Sequence, residues 1–92
     1  MSKYKLFETQ QYSDDVENIA DNVKKSILAK IMNYVYPQII VNPYFGINIK
    51  KLKNYSPSTW RYRIGDYRLF YEINEGEKTI NIIGIDLRKD VY

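Results

Sequence analysis

The stretch Trp60-Arg61-Tyr62-Arg63-Ile64-Gly65-Asp66-Tyr67-Arg68-Leu69-Phe70-Tyr71-Glu72-Ile73 decides the fold, because it reads as two strands joined by a Gly-Asp connection. A glycine in the first turn position supplies the positive φ that type I′ and type II′ hairpin turns require. The turn then fixes the register, setting Ile64 opposite Tyr67, Arg63 opposite Arg68 and Arg61 opposite Phe70. Strand alternation sorts the side chains. One face carries Tyr62, Ile64, Tyr67, Leu69, Tyr71 and Ile73, with Trp60 at its start, and the other carries Arg61, Arg63, Arg68 and Glu72, with Phe70 among them. Directly opposed Cβ atoms lie about 4.5–5.5 Å apart, so Arg63 against Arg68 is a like-charge contact that costs stability. Stacking on an aromatic neighbour, or a local carboxylate such as Asp66 or Glu72, relieves it in one reading. A bound polyanion relieves it in the other.

Downstream of the hairpin, Asn74-Glu75-Gly76-Glu77-Lys78 makes a second turn, and Thr79 to Leu87 forms a strand apolar on both sides, which suits an interior position in a sheet. Upstream, the alternation of Lys3 to Thr9 predicts a first strand with Tyr4, Leu6 or Phe7 inward. Ser13-Asp14-Asp15 offers helix N-caps, and Asp14 with Glu17 fits a capping box ahead of Val16, Ile19 and Ala20. A second helix starts near Asp21 or Asn22, places Val23, Ile27, Leu28, Ile31 and Val35 at helical spacing, and is expected to end before Pro37. Residues 37–59, punctuated by Pro37, Asn42-Pro43, Gly46 and Pro57, read mostly as loop and carry Lys50, Lys51 and Lys53. The order predicts an α+β fold: an N-terminal strand, two helices, then an antiparallel three-strand meander, with the helices packed on one face of a single sheet. The helix bearing Ile27, Ile31 and Val35 is expected to cover Tyr62, Ile64, Leu69 and Tyr71.

At 92 residues, 45% of them apolar, the chain suits one domain over 1–92 with a single core. The net charge of +3 is unevenly spread. Residues 1–49 hold five basic and five acidic groups, while 50–92 hold nine and six. Between 50 and 68, Lys50, Lys51, Lys53, Arg61, Arg63 and Arg68 face only Asp66, a local excess that suits a phosphate backbone. Ten tyrosines fit either a small core with wet hydroxyls or stacking on bases. With no cysteine, disulfides, thiolate metal sites and cysteine nucleophiles are excluded; with no histidine, the commonest metal ligand and the commonest neutral-pH base are missing. No metal or cofactor is expected. The N-terminus lacks a signal-like apolar run and no segment approaches the length of a membrane span, so a cytoplasmic protein without a membrane partner is expected.

Element order and four blocks of residues together make the chain similar to the RelE/ParE toxin superfamily, most of all to its RelE-type ribosome-dependent mRNA interferases. The blocks are Asn42-Pro43; Lys51-Leu52-Lys53; Trp60 to Arg68 running into Leu69-Phe70-Tyr71-Glu72-Ile73; and the ending Leu87-Arg88-Lys89-Asp90-Val91-Tyr92. The resemblance implies a RelE-like fold and a toxin neutralised by a cognate antitoxin, in a possible hetero-oligomer. The freed toxin would act on mRNA in the ribosomal A site as a metal-independent endoribonuclease. It places Arg68 on the family's hairpin arginine, Arg88 on its arginine after the last strand and Tyr92 on its C-terminal tyrosine. Arg61 falls where some relatives carry a second functional cation, and Lys51 and Lys53 match the basic connection loosely. Many members have histidine immediately before the last arginine, where this chain has Leu87.

Such cleavage uses the ribose 2′-OH as nucleophile on its own 3′ phosphate. The protein must orient the RNA, neutralise a developing dianion and assist proton transfer. Fixed donors aimed at developing charge contribute on the order of 3–4 kcal/mol each, more than a poorly tuned base. The expected catalytic set is therefore Arg68, Arg88, Tyr92 and Arg61, with Lys50, Lys51, Lys53 and Arg63 as RNA- or phosphate-binding residues and the general base unassigned. The alternatives are a ParE-type inhibitor of DNA gyrase without nuclease activity, on the same scaffold, and a noncatalytic RNA-binding domain.

Overall fold

Gly65 takes φ 59°, while Asp66 stays out of the left-handed region, which selects the type II′ form of the turn. The pairing follows as predicted, with Ile64 opposite Tyr67, Tyr62 opposite Leu69 and Arg63 opposite Arg68. The structure, a computed structural model, describes residues 3–87. Along the chain it contains β1 (Lys5–Glu8), α1 (Gln10–Glu17), α2 (Asp21–Lys30), a π-helical turn (Ile31–Val35) and α3 (Tyr36–Val41), followed by β2 (Ile49–Lys51), β3 (Thr59–Ile64), β4 (Tyr67–Asn74) and β5 (Thr79–Leu87). The strands form one sheet in the order β1-β5-β4-β3-β2, with β1 parallel to β5 and every other pair antiparallel. The α+β architecture is the expected one, and β5 is interior, held between β1 and β4.

The core is the face the hairpin pattern marks. Tyr62, Ile64, Leu69 and Tyr71 are buried in one cluster with Ile27, Ile31 and Val35 of the covering helix and with Ile80, Ile82 and Ile85 of β5. Each aliphatic side chain removed from water there contributes about 1.5–3 kcal/mol. Most of the tyrosines serve packing, and their hydroxyls are accounted for. Tyr71 donates to Pro43 O at 2.7 Å, Tyr62 to Gln38 Oε1 at 2.6 Å and Tyr36 to Glu8 Oε2 at 2.8 Å. Among the described residues no buried side-chain nitrogen or oxygen lacks a partner. Burial, then the bond to Glu8, pushes the Tyr36 phenol far above the usual range, so it keeps its proton and donates it to Glu8.

Three local expectations change. The first helix begins at Gln10 and not near Ser13, because Thr9 is its N-cap. The Thr9 hydroxyl accepts from Tyr12 N at 3.3 Å and donates to Ile82 O at 2.8 Å, so the cap is fixed where β1 leaves β5. Asp14 and Asp15 then lie inside the helix, accepting from Gln10 and Gln11 one turn back at 3.0 and 2.8 Å. The second helix does not end before Pro37. It passes through the π turn, where Tyr36 N reaches Ile31 O, into α3 with Pro37 in its first turn. A proline is tolerated there because the first helical turn has no need of its N–H, and a π turn re-registers the ladder just before it. Ile39 and Ile40, read as loop, thereby become the inner face of α3, Ile39 fully buried. Lastly, residues 49–51 are a fifth strand and not loop, pairing Ile49 with Tyr62, Lys50 with Arg61 and Lys51 with Trp60. A three-residue strand bearing two lysines is a blunted edge of the kind that resists further pairing.

Glu75, in the β4–β5 turn, pins three segments together. Its Oε1 accepts from the hydroxyls of Tyr4 and Tyr44 at 2.6 Å each, and its Oε2 pairs with Lys78, whose ammonium lies 4.9 Å from the Tyr4 ring centroid. Lys78, then Tyr4 and Tyr44, hold the carboxyl at about 2, below its ordinary 4.5. A depressed folded-state value means that the stabilisation is complete above 4.5 and is lost as pH falls through about 2. Glu75→Gln should therefore lower the melting temperature at neutral pH and flatten its dependence on pH across that acid window. Thermal unfolding followed by circular dichroism reads both. An unchanged acid slope in the variant would mean that Glu75 is not the titrating pin.

Candidate functional site

The sheet face turned away from α2 and α3 gathers the hairpin arginines in two rows. Lys50, Arg61, Phe70 and Gly84 form one, and Arg63, Arg68 and Asp86 form the next. Arg68 is doubly held. Its Nε lies 3.0 Å from Asp86 Oδ1, its Nη2 lies 2.9 Å from Asp86 Oδ2, and its guanidinium carbon stands 5.2 Å from the centre of the Phe70 ring. The like-charge contact with Arg63 is thus relieved by stacking and by a carboxylate from β5, where the sequence pointed to Asp66 or Glu72. Arg63 is exposed, and among the described residues its guanidinium makes a long 3.5 Å contact from Nε to Gly65 O. Arg61 Nη1 donates to Asn48 O at 2.7 Å, the same oxygen that accepts Arg63 N at 2.9 Å, so Arg61 helps tie down the loop before β2.

The lysines divide. Lys50 shares the open face with the arginines, and Lys53 is exposed in the turn after β2. Lys51 points to the other face, 5.9 Å from the centre of the Trp60 ring, which meets Tyr44 edge-on at 5.3 Å. The structure therefore brings Lys50, Arg61, Arg63 and Arg68 together and sets Lys51 apart. Arg88 and Tyr92 lie outside the described residues.

Asp86 reaches this face through a bulge. From the turn, the β4–β5 register runs Asn74 with Thr79, Glu72 with Asn81 and Tyr71 with Ile82, then shifts so that Phe70 pairs with Gly84 and Arg68 with Asp86. Ile83 is the extra residue. Without the shift Arg68 would face Ile85, and Asp86 would point into the core. One signal of this was in the sequence: inward apolar residues fall on even positions at Ile80 and Ile82, and on an odd position at Ile85.

Beside the pair is a shallow depression of about 300 Å³ lined by Asp15, Tyr55, Thr59, Arg68, Phe70 and Gly84. Tyr55 in its lining is 57% exposed. Asp15 arrives from α1, which continues alongside β5 where β1 stops. Its Oδ2 accepts Ile85 N at 3.0 Å, satisfying the strand edge beyond the Thr79–Ile82 stretch that β1 covers. Gly84 leaves room for that carboxylate, since a Cβ there would sit 2.8 Å from Asp15 Oδ2. Asp15, Tyr55 and Asp86 were not singled out from sequence. The face combines forked cation donors, exposed aromatic rings and carboxylates, which suits holding a phosphate beside a stacked base. Among the described residues no group of three His, Cys, Asp or Glu side chains is placed to hold a metal ion.

Residues 7–92 match the family model described as the ParE toxin of type II toxin-antitoxin system, parDE. The fold is similar to that of the RelBE2 toxin–antitoxin complex from Mycobacterium tuberculosis, with a TM-score of 0.70 at 20% identity over 94% of this chain and 99% of that one. It is also similar to the archaeal RelE–RelB complex from Pyrococcus horikoshii, with a TM-score of 0.63 at 22% identity over 98% and 99% of the two chains. A YoeB/ParE toxin from Agrobacterium tumefaciens gives 0.67 at 18% identity over 90% and 96%. These likenesses establish the RelE-like fold. Comparison with curated proteins finds no match.

The Gly84–Asp15 fit makes a stability test of the site's scaffold. Gly84→Ala should cost about 1–3 kcal/mol, the usual range for overpacking a close contact. In an Asp15→Ala background the same change should cost far less, because the carboxylate it strikes is gone. Urea denaturation of the four proteins measures the coupling. Strictly additive costs would show that Asp15 does not dictate glycine at position 84.

Proposed function

The chain belongs to the ParE toxin family of type II toxin–antitoxin systems, within the RelE/ParE superfamily, and on that premise we propose that it is a ribosome-dependent mRNA endoribonuclease. The observation that carries the reading is the convergence of Arg61, Arg63, Arg68 and Lys50 on one open sheet face beside Phe70 and Tyr55. In the proposed reaction the 2′-OH of the A-site codon attacks the adjacent phosphate, leaving a 2′,3′-cyclic phosphate and a 5′-hydroxyl. Arg68 and Arg88 hold the phosphate and stabilise its transition-state charge. Arg63, exposed in the same row as Arg68, assists better than Arg61, whose guanidinium holds Asn48 O. Tyr92 stacks on a base or moves a proton.

A cognate antitoxin is the proposed partner, an acidic segment with an amphipathic helix that covers the basic face or an adjacent apolar groove. The groove between α1 and α2, lined by Tyr12, Val16, Leu28 and Met32, supports the second location. The other reading, a ParE-type inhibitor of DNA gyrase, is favoured by the family model itself and by the pairing of Arg68 with Asp86.

Arg68→Ala and Arg88→Ala should abolish growth arrest, with message cleavage lowered roughly 100- to 1000-fold. Arg68→Ala should leave the fold intact, because its partner Asp86 is half-exposed and becomes hydrated when unpaired. Tyr92→Phe separates stacking, which survives, from proton transfer, which does not. Mapping of 5′ ends on translating ribosomes is the readout. Growth arrest without codon-positioned cuts, together with failed supercoiling by gyrase, would replace the nuclease reading with the gyrase one.

A further inference from the structure

Resting on the proposed role of Arg68 as a phosphate holder, we infer that Asp86 is a built-in competitor for that phosphate and sets the affinity of the open face for polyanions. The carboxylate takes the Nε and Nη2 donors of Arg68 at 3.0 and 2.9 Å. That two-pronged edge is the one with which a guanidinium clamps a carboxylate or a phosphate, and the two ligands are alike in geometry and charge. Phe70, 5.2 Å from the guanidinium carbon, covers one face of the same group. An incoming phosphate must displace Asp86 from this edge or bind beside it against its charge.

The pair is poised to open. The Arg68 and Asp86 side chains are 26% and 48% exposed, so water replaces either partner at small cost. Arg63, directly opposite Arg68, has no ion-paired carboxylate among the described residues and supplies a second cation to an anion that enters the row. The arrangement also explains how two arginines stand opposed on a strand pair without an external ligand. Asp86 neutralises one of them in the empty protein, and a polyanion takes over that task when bound.

The test uses the full chain and a single-stranded oligoribonucleotide carrying 2′-O-methyl groups throughout, which binds but cannot be cut. Fluorescence anisotropy across a salt series compares wild type, Asp86→Asn, Arg68→Ala and the double variant. Removing one charge at this distance in a largely solvated setting should tighten binding about tenfold in Asp86→Asn. The dependence on salt should steepen by about one released counterion. In the Arg68→Ala background the Asp86 change should bring little gain, because the edge it guards is absent. Unchanged or weaker binding by Asp86→Asn overturns the inference. So does a gain of equal size without Arg68, which would mark a general charge effect. Should Asp86→Asn fail to fold, the Arg68 Nε–H resonance of the wild-type protein is followed during titration with the same oligonucleotide, and a signal that does not move also overturns it. Codon-positioned cuts without an Arg68-dependent gain leave the nuclease reading standing and remove this one. An Arg68-dependent gain without cuts does the reverse.

Discussion

A single extra residue in β5 makes the two faces of the sheet what they are. Strand alternation has a period of two, so the shift at Ile83 inverts the orientation of everything after it. Ahead of the bulge Ile80 and Ile82 fill the core; beyond it Ile85 does, while Gly84 and Asp86 turn outward. In unbroken alternation Asp86 would be a carboxylate driven into an apolar layer, and Arg68 would stand beside Arg63 with no counter-charge. The bulge also lies where β1 ends and α1 takes over the strand edge, so Asp15, Gly84 and Ile85 are fitted to one another through it. Core, edge and open face are joined at this point.

The tyrosines show a second constraint, which is that a small core must be closed with rings whose hydroxyls still find acceptors. Tyr71 is wholly buried and reaches the carbonyl of Pro43; Tyr62 reaches Gln38, and Tyr36 reaches Glu8. Each bond also joins distant parts of the chain, so that the loop before β2, α3 and the first strand are positioned by phenols as well as by burial. The same residue type does different work on the surface, where Tyr55 lines the depression beside Arg68.

The hairpin was legible because its register follows from two turn residues and its faces from alternation, both local properties. The covering helix was legible for the same reason, through the spacing of Ile27, Ile31 and Val35. Features set by tertiary context were not. Pro37 reads as a stop, yet it sits in the first turn of α3 behind a π turn. Thr9 caps α1 through a contact with Ile82, seventy-three residues away in sequence. Lys51 looked equivalent to Lys50 but lies on the opposite face, because membership of a short strand, unlike loop membership, fixes orientation. Asp86 was hidden by the bulge, although the switch in parity from Ile82 to Ile85 was there to be read.

The absence of histidine changes the weight carried by the charged groups on the open face. Without an imidazole to move protons near neutral pH, the reaction proposed here depends mostly on orienting RNA and on stabilising charge in the transition state. Guanidiniums suit that task only if they stand ready, and ready guanidiniums repel one another in the empty protein. A half-exposed ion pair such as Arg68 with Asp86 is worth about 0–1 kcal/mol, enough to offset that repulsion and too little to hold the face shut. A phosphate that brings a second contact to Arg63 and releases its counterions gains more than the pair loses. The carboxylate therefore permits the arginine cluster to exist on a stable sheet while leaving it open to exchange with the ligand it resembles.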